Sequence, residues 1–243
     1  VLLVYLIQKR IKFEFKQLKY FLVMSIIGIV VPFLFIAHGQ KNIDSALAGI
    51  LMSTMPISTL ILAHFYLSDE SMTRKKLIGF ILAFLGIVIL ILPDKIDFQT
   101  KYLDNLYSQL MVIFGAILYS AAAVYGKLYK NTDALNASTG TIFFSAIIMF
   151  IYLYFFITID EKFVMAFSSI PIILLGVFCT AIATILYFQI LQTSGASFLS
   201  IMNYLIPAWA IIFGVIFFNE KILWNYFFGL LIIILGIKIS QKD

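Results

Sequence analysis

Residues Ser45–Pro93 read SALAGILMSTMPISTLILAHFYLSDESMTRKKLIGFILAFLGIVILILP, and residues Ala196–Gly236 read ASFLSIMNYLIPAWAIIFGVIFFNEKILWNYFFGLLIIILG. The two stretches share one plan. An apolar run holds a proline, Pro56 or Pro207. A short polar break carries Asp69-Glu70 or Asn219-Glu220. A second apolar run carries Gly79 and Gly86, or Gly229 and Gly236. Glutamate to glycine is nine residues in both copies, and glycine to glycine is seven. A self-similar period makes each copy a structural unit of the fold. Duplicated membrane units are a common plan for small-molecule transporters.

Composition says which medium the units fold in. Of 243 residues, 63% are hydrophobic and 12% charged, against about 25% charged in soluble domains. A water-soluble core of this size cannot absorb so much apolar surface, so the chain is an integral, multi-pass membrane protein. The single cysteine, Cys179, can form no intrachain disulfide. No cysteine or histidine cluster suggests a metal, and no Gly-rich phosphate loop suggests a nucleotide. No cofactor is expected. The expected partners are a small-molecule substrate and the lipid bilayer, with no nucleic acid.

A spanning helix needs about 20 mainly apolar residues. Runs of that kind fall at about 18–37, 43–67, 74–92, 106–126, 137–159, 169–191, 196–218 and 222–240. Val1–Ile7 reads as the end of a further span. Long continuous runs favour helices over the short alternating segments of a membrane barrel. If the break after Ile7 is cytoplasmic, twelve of the 17 Lys and Arg fall on that side, Lys9, Arg74, Lys127 and Lys238 among them. The positive-inside rule then sets the C-terminus in the cytoplasm and the connection at about 93–105 outside. On that topology Glu70 and Glu220 lie at opposite membrane faces, so the copies are inverted and each holds an odd number of spans. The fold class is an all-α polytopic bundle of two inverted five-helix repeats, residues 1–105 and 106–243. About one and a half helices, about 55 residues, are expected upstream of Val1.

The two quoted stretches resemble the end of an EamA-type repeat of the drug/metabolite transporter superfamily: small residues, a proline in an apolar run, a pair ending in Glu, then a glycine-bearing last helix. The resemblance extends over nearly the whole chain and includes GAILYSAAAVYGKLYK at Gly115–Lys130, the opening of the second repeat. In place of the Gly the family often has before the Glu, this chain has Asp69 and Asn219. The resemblance implies a secondary transporter, expected to export small metabolites by alternating access across a bacterial inner membrane. Amino acids are the first cargo class it implies, and lipophilic drugs the second.

Candidate site residues follow from what a span tolerates. Pro56 and Pro207 each remove a helical hydrogen bond, and each can kink or open its helix beside a substrate path. An uncharged polar side chain in hydrocarbon is costly unless paired, so Ser53, Thr54, Asn203 and Tyr204 should face inward, as should Trp209 beside them. Tyr119 and Tyr125, and Thr184, Tyr187 and Gln189, belong to the same class on two other spans. His64, one and a half turns before Glu70, is a further candidate, since polar groups within spans are often functional. Glu70 and Glu220 are expected at helix N-termini, where a carboxylate interacts well with the dipole. The glycine pairs are expected to let helices approach closely. No charged residue lies mid-span, which argues against a charged proton relay and suits facilitated export or exchange. A membrane enzyme would need clustered His, Asp or Glu at one face. Asp69, Glu70 and Asp133 show no such spacing, so catalysis is not expected.

Overall fold

The computed structural model describes residues 17–43, 45–91, 102–129, 132–156, 173–218 and 224–240. Among them every regular element is helical, as the long apolar runs require. Helix α1 (Leu18–Ser25) continues through a π-helical stretch, Ile26–Val30, into α2 (Val31–Gly39). Helices α3 (Ser45–Met52) and α4 (Met55–Tyr66) share one span. Next come α5 (Arg74–Ile91), α6 (Tyr102–Leu128) and α7 (Ala134–Phe156). A second π-helical stretch, Leu175–Ile182, leads into α8 (Ala183–Ser194), and α9 (Ala196–Phe218) and α10 (Trp224–Ser240) complete the bundle. Val1–Ile7, residues 92–101 and Asn219–Glu220 lie outside the described residues. Leu18–Gly39, Leu106–Leu128, Ala134–Phe156 and Leu175–Ser194 are each long and apolar enough to cross a bilayer unaided. Phe150 and Phe155 are each 71% exposed. Outward apolar side chains of this kind are what a lipid-facing surface requires.

The two copies meet at their last helices. A Cβ on Gly79 would lie 2.5 Å from the Gly236 carbonyl oxygen, and one on Gly86 would lie 2.9 Å from the Gly229 carbonyl oxygen. Gly79 corresponds by sequence to Gly229, and Gly86 to Gly236, yet the contacts run crosswise. Crossed pairing is what a two-fold axis between antiparallel helices produces. The two repeats are inverted at this seam, and only glycine lets α5 and α10 come so close.

The π-helical stretches obey the same relation. Counting 151 residues on, the Pro56-to-Pro207 offset, carries Ile26–Val30 to 177–181, inside Leu175–Ile182. π-Helical turns are rare and gather at functional sites.

The prolines do not obey it. Helix α3 stops at Met52, and a turn at Ser53–Thr54 precedes α4. The Thr54 amide and hydroxyl both donate to the Leu51 carbonyl, at 3.1 and 2.7 Å. Pro56 has no N–H to continue the ladder. Fully buried Ser120, from α6, donates to the Met55 carbonyl at 2.9 Å and ties the break to the bundle. Pro207, by contrast, lies inside the continuous helix α9. Of the kink or opening expected at each proline, the first copy has the opening, while helix α9 runs on through Pro207.

A core cluster joins α1, α6 and α8 through buried Tyr20, Phe21, Met24, Ala122, Ala123, Phe188 and Leu191. Tyr20 stacks on Tyr129 at 4.5 Å and on Tyr125 at 5.9 Å. These rings fix α6 against α1 and so set one wall of the site described next.

Candidate functional site

Helices α3, α4, α6, α8 and α9 line a half-open cavity of about 600 Å³, within the usual range for small-molecule sites. Met52 and Met55 flank it at the broken helix, Tyr119 comes from α6, Leu186 and Tyr187 from α8, and Met202, Asn203 and Trp209 from α9. Among the described residues no charged side chain lines it. Its few polar groups are the Tyr119 and Tyr187 hydroxyls, the Trp209 indole and the Asn203 amide. The Asn203 side-chain NH₂ donates to the Ser200 carbonyl at 3.1 Å. That bond turns the amide group along α9 and leaves its oxygen able to accept from a ligand.

A smaller cavity of about 220 Å³ adjoins it and shares Tyr119, Ala183 and Tyr187 as wall. Its other faces are Gly28 and Ile29, in the first π-helical stretch, Thr184, just past the second, and Thr141 on α7.

The sequence candidates divide clearly. Tyr119, Asn203 and Trp209 line the larger cavity. Tyr204 is turned away: buried, it donates to the Phe80 carbonyl at 3.0 Å and meets the Phe80 ring edge-on. The Phe80 contacts commit the Tyr204 side chain to α5, about 100° around α9 from Asn203. Gln189 is exposed on the far face of α8. Ser53 is buried and Thr54 half-buried at the helix break, where Thr54 spends its hydroxyl on Leu51. Pro56 is buried at the start of α4. Pro207 is one turn along from Asn203 on α9. His64 is exposed near the end of α4, where its Nδ1 accepts the Met72 N–H at 3.3 Å and closes the loop to α5. The methionines and leucines of the wall carry no signal that separates them from lipid-facing residues in the sequence.

Glu70 does what the sequence did not foretell. Helix α5, which follows it, is capped by Thr73, whose hydroxyl accepts the Lys76 N–H at 3.2 Å. The Glu70 carboxylate instead caps α9, in the other repeat. Its Oε1 accepts the Ala196 N–H at 2.6 Å and its Oε2 the Ser197 N–H at 2.7 Å. The preceding residue, Gly195, has φ +92°, and a Cβ there would collide with the carboxylate. Asp69 pairs loosely with Lys127 at 3.9 Å, and Lys127 donates to the Gln192 carbonyl at 3.3 Å. One end of the bundle is thus closed by polar contacts that cross from one half to the other.

A helical membrane bundle whose last helices meet as an inverted pair, beside an apolar cavity, is a plan that membrane transporters use. The EamA-like transporter family matches residues 1–92 and 106–240, and the chain belongs to that family. The uncharacterized transporter YoaV of Bacillus subtilis is 22% identical over 237 residues, which is 97% of this chain and 80% of the relative. An uncharacterized transporter of Archaeoglobus fulgidus is 26% identical over 235 residues, 96% of this chain and 80% of the relative. A solved crystal structure matches the fold with a TM-score of 0.80 at 14% identity, covering 98% of this chain and 82% of the other.

Proposed function

We propose that this transporter is a secondary exporter of small amphipathic metabolites, working by alternating access in a bacterial inner membrane with its C-terminus in the cytoplasm. The observation that carries the reading is the cavity of about 600 Å³ walled by the broken helix of one half and by α6, α8 and α9 of the other. A site at the junction of inverted halves is exposed to either face when the halves rock. The cross-repeat cap on α9 supports a state in which the Glu70 end is shut.

Of the two cargo classes the sequence resemblance implies, the wall favours the lipophilic one. A zwitterionic amino acid brings two full charges, and burying an unpaired charge costs several kcal/mol even after relaxation. Neither cavity offers a charged partner among the described residues. Amino acids with large apolar side chains are the form of the first class that suits these walls best.

The test is efflux from cells carrying the full-length protein, across apolar amino acids, nucleosides and lipophilic dyes. Asn203→Leu should cut flux of the transported class far more than protein abundance. Flux unchanged, or reduced only as abundance falls, would assign Asn203 to packing. An impermeant label that reacts outside the cell with a cysteine at the C-terminus would reverse the proposed orientation.

A further inference from the structure

We propose that the smaller cavity is a head-group subsite: it binds an uncharged hydrogen-bonding group of the cargo, while the cargo's apolar body lies in the larger cavity. The proposal rests on the transporter reading and deepens it. Three observations carry it.

The first is an unpartnered polar atom. Thr141 is 1% exposed, and its Oγ1 has no hydrogen-bond partner among the described residues. Its backbone carbonyl, by contrast, is satisfied. The Thr141 carbonyl accepts from Ser25 on α1 at 2.8 Å and from Ser145 at 2.7 Å. A buried hydroxyl left unpaired is costly, and this one lines the smaller cavity.

The second is shape. The two cavities share Tyr119, Ala183 and Tyr187 as a common wall, so one ligand can lie across both. At about 220 Å³ the smaller one exceeds the roughly 30 Å³ that a single water occupies in the liquid. A short polar head fits, and the larger cavity has the volume for an aromatic or aliphatic body.

The third is charge. The polar atoms around the smaller cavity are hydroxyls of Thr141, Thr184, Tyr119 and Tyr187. Thr184 already donates to the Thr180 carbonyl at 2.6 Å. Hydroxyls offer both donors and acceptors but balance no full charge. An amide or hydroxyl head is matched by this set, and a carboxylate or ammonium is not.

The test uses the full-length protein in lipid nanodiscs, with Trp209 fluorescence as the readout and every other tryptophan of that protein, Trp224 among them, changed to Phe. The probes are 3-phenylpropanamide, n-propylbenzene, 3-phenylpropanoate and 3-phenylpropylammonium, each corrected against empty nanodiscs. The amide should bind about tenfold more tightly than the hydrocarbon and than either ion, the size expected of one well-made hydrogen bond. Thr141→Val, which keeps the shape and removes the hydroxyl, should erase the advantage over the hydrocarbon. Thr141→Ser should keep it. Because Oγ1 has no partner to lose, Thr141→Val should not lower the melting temperature of the free protein. Equal amide affinity in wild type and Thr141→Val, tighter binding of either ion, or no amide binding by wild type would each overturn the subsite. None of these outcomes bears on whether the protein transports, which the efflux assay decides separately.

Discussion

Removing the Glu70 carboxylate should loosen a helix 126 positions away in the chain. Two backbone N–H groups, of Ala196 and Ser197, donate to it at 2.6 and 2.7 Å, and both residues are buried. A hydrogen bond to a charged group contributes about 1.5–3 kcal/mol, and the positive end of the α9 dipole adds up to about 1 kcal/mol where it is partly screened. Glu70→Gln keeps one acceptor oxygen but turns an NH₂ towards the second N–H. It should cost about 1.5–3 kcal/mol of local stability. Glu70→Ala leaves both donors empty and should cost more, unless water enters and recovers part of it. The assay is hydrogen exchange with peptide resolution on the protein in nanodiscs. Since 1.4 kcal/mol is a factor of ten, the Ala196 and Ser197 amides of Glu70→Gln should exchange about ten to a hundred times faster. The amides of α5, which Thr73 caps, should not change. Gly195→Ala should give the same pattern, because φ +92° is poorly tolerated by alanine and its Cβ displaces the carboxylate. Unchanged exchange at Ala196 and Ser197, or an equal rise throughout the protein, would refute the cap as drawn.

Other outcomes follow from the same contacts. Gly79→Ala and Gly236→Ala should each lower thermal stability by a few kcal/mol, read as loss of monodisperse protein on heating, since each added methyl meets backbone instead of a flexible side chain. Gly176→Ala, with no atom near the new methyl, is the matched control and should change little. Tyr204→Phe should cost about 1 kcal/mol through loss of the bond to the Phe80 carbonyl and leave transport intact. Ser120→Ala should weaken the anchor of the α3–α4 break and reduce transport more than abundance, because the Met55 carbonyl it holds stands beside the cavity.

Much of the fold is legible in the sequence because the bilayer imposes a length and a polarity on each span. Helices α5, α9 and α10 begin and end within about two residues of the apolar runs that predict them, well inside the usual uncertainty of helix ends. The glycine spacing of the two copies announces the seam between them. What the sequence hides is direction. Around a membrane helix, interior and lipid are both apolar, so no polar stripe says which way a residue points. Tyr204 and Gln189 look like cavity residues for that reason, and one faces Phe80 while the other faces outward. Glu70 misleads in another way. Local reading assigns a carboxylate to the nearest helix N-terminus, and the nearest in space belongs to α9. Equal prolines also have unequal effects, because Ser53, Thr54 and Ser120 can satisfy an opened turn in the first copy.

The claim on which the rest depends is that cargo passes through the cavity between α4, α6, α8 and α9. Filling it tests that claim most directly. Met55→Trp adds an indole to the cavity wall next to the helix break. Flux of the transported probe should be measured in proteoliposomes holding equal amounts of wild-type and Met55→Trp protein, with Phe150→Trp on the lipid-facing side as control. The account predicts that Met55→Trp abolishes flux while the protein stays folded and Phe150→Trp transports as wild type. Wild-type flux through a protein with its cavity filled would contradict it.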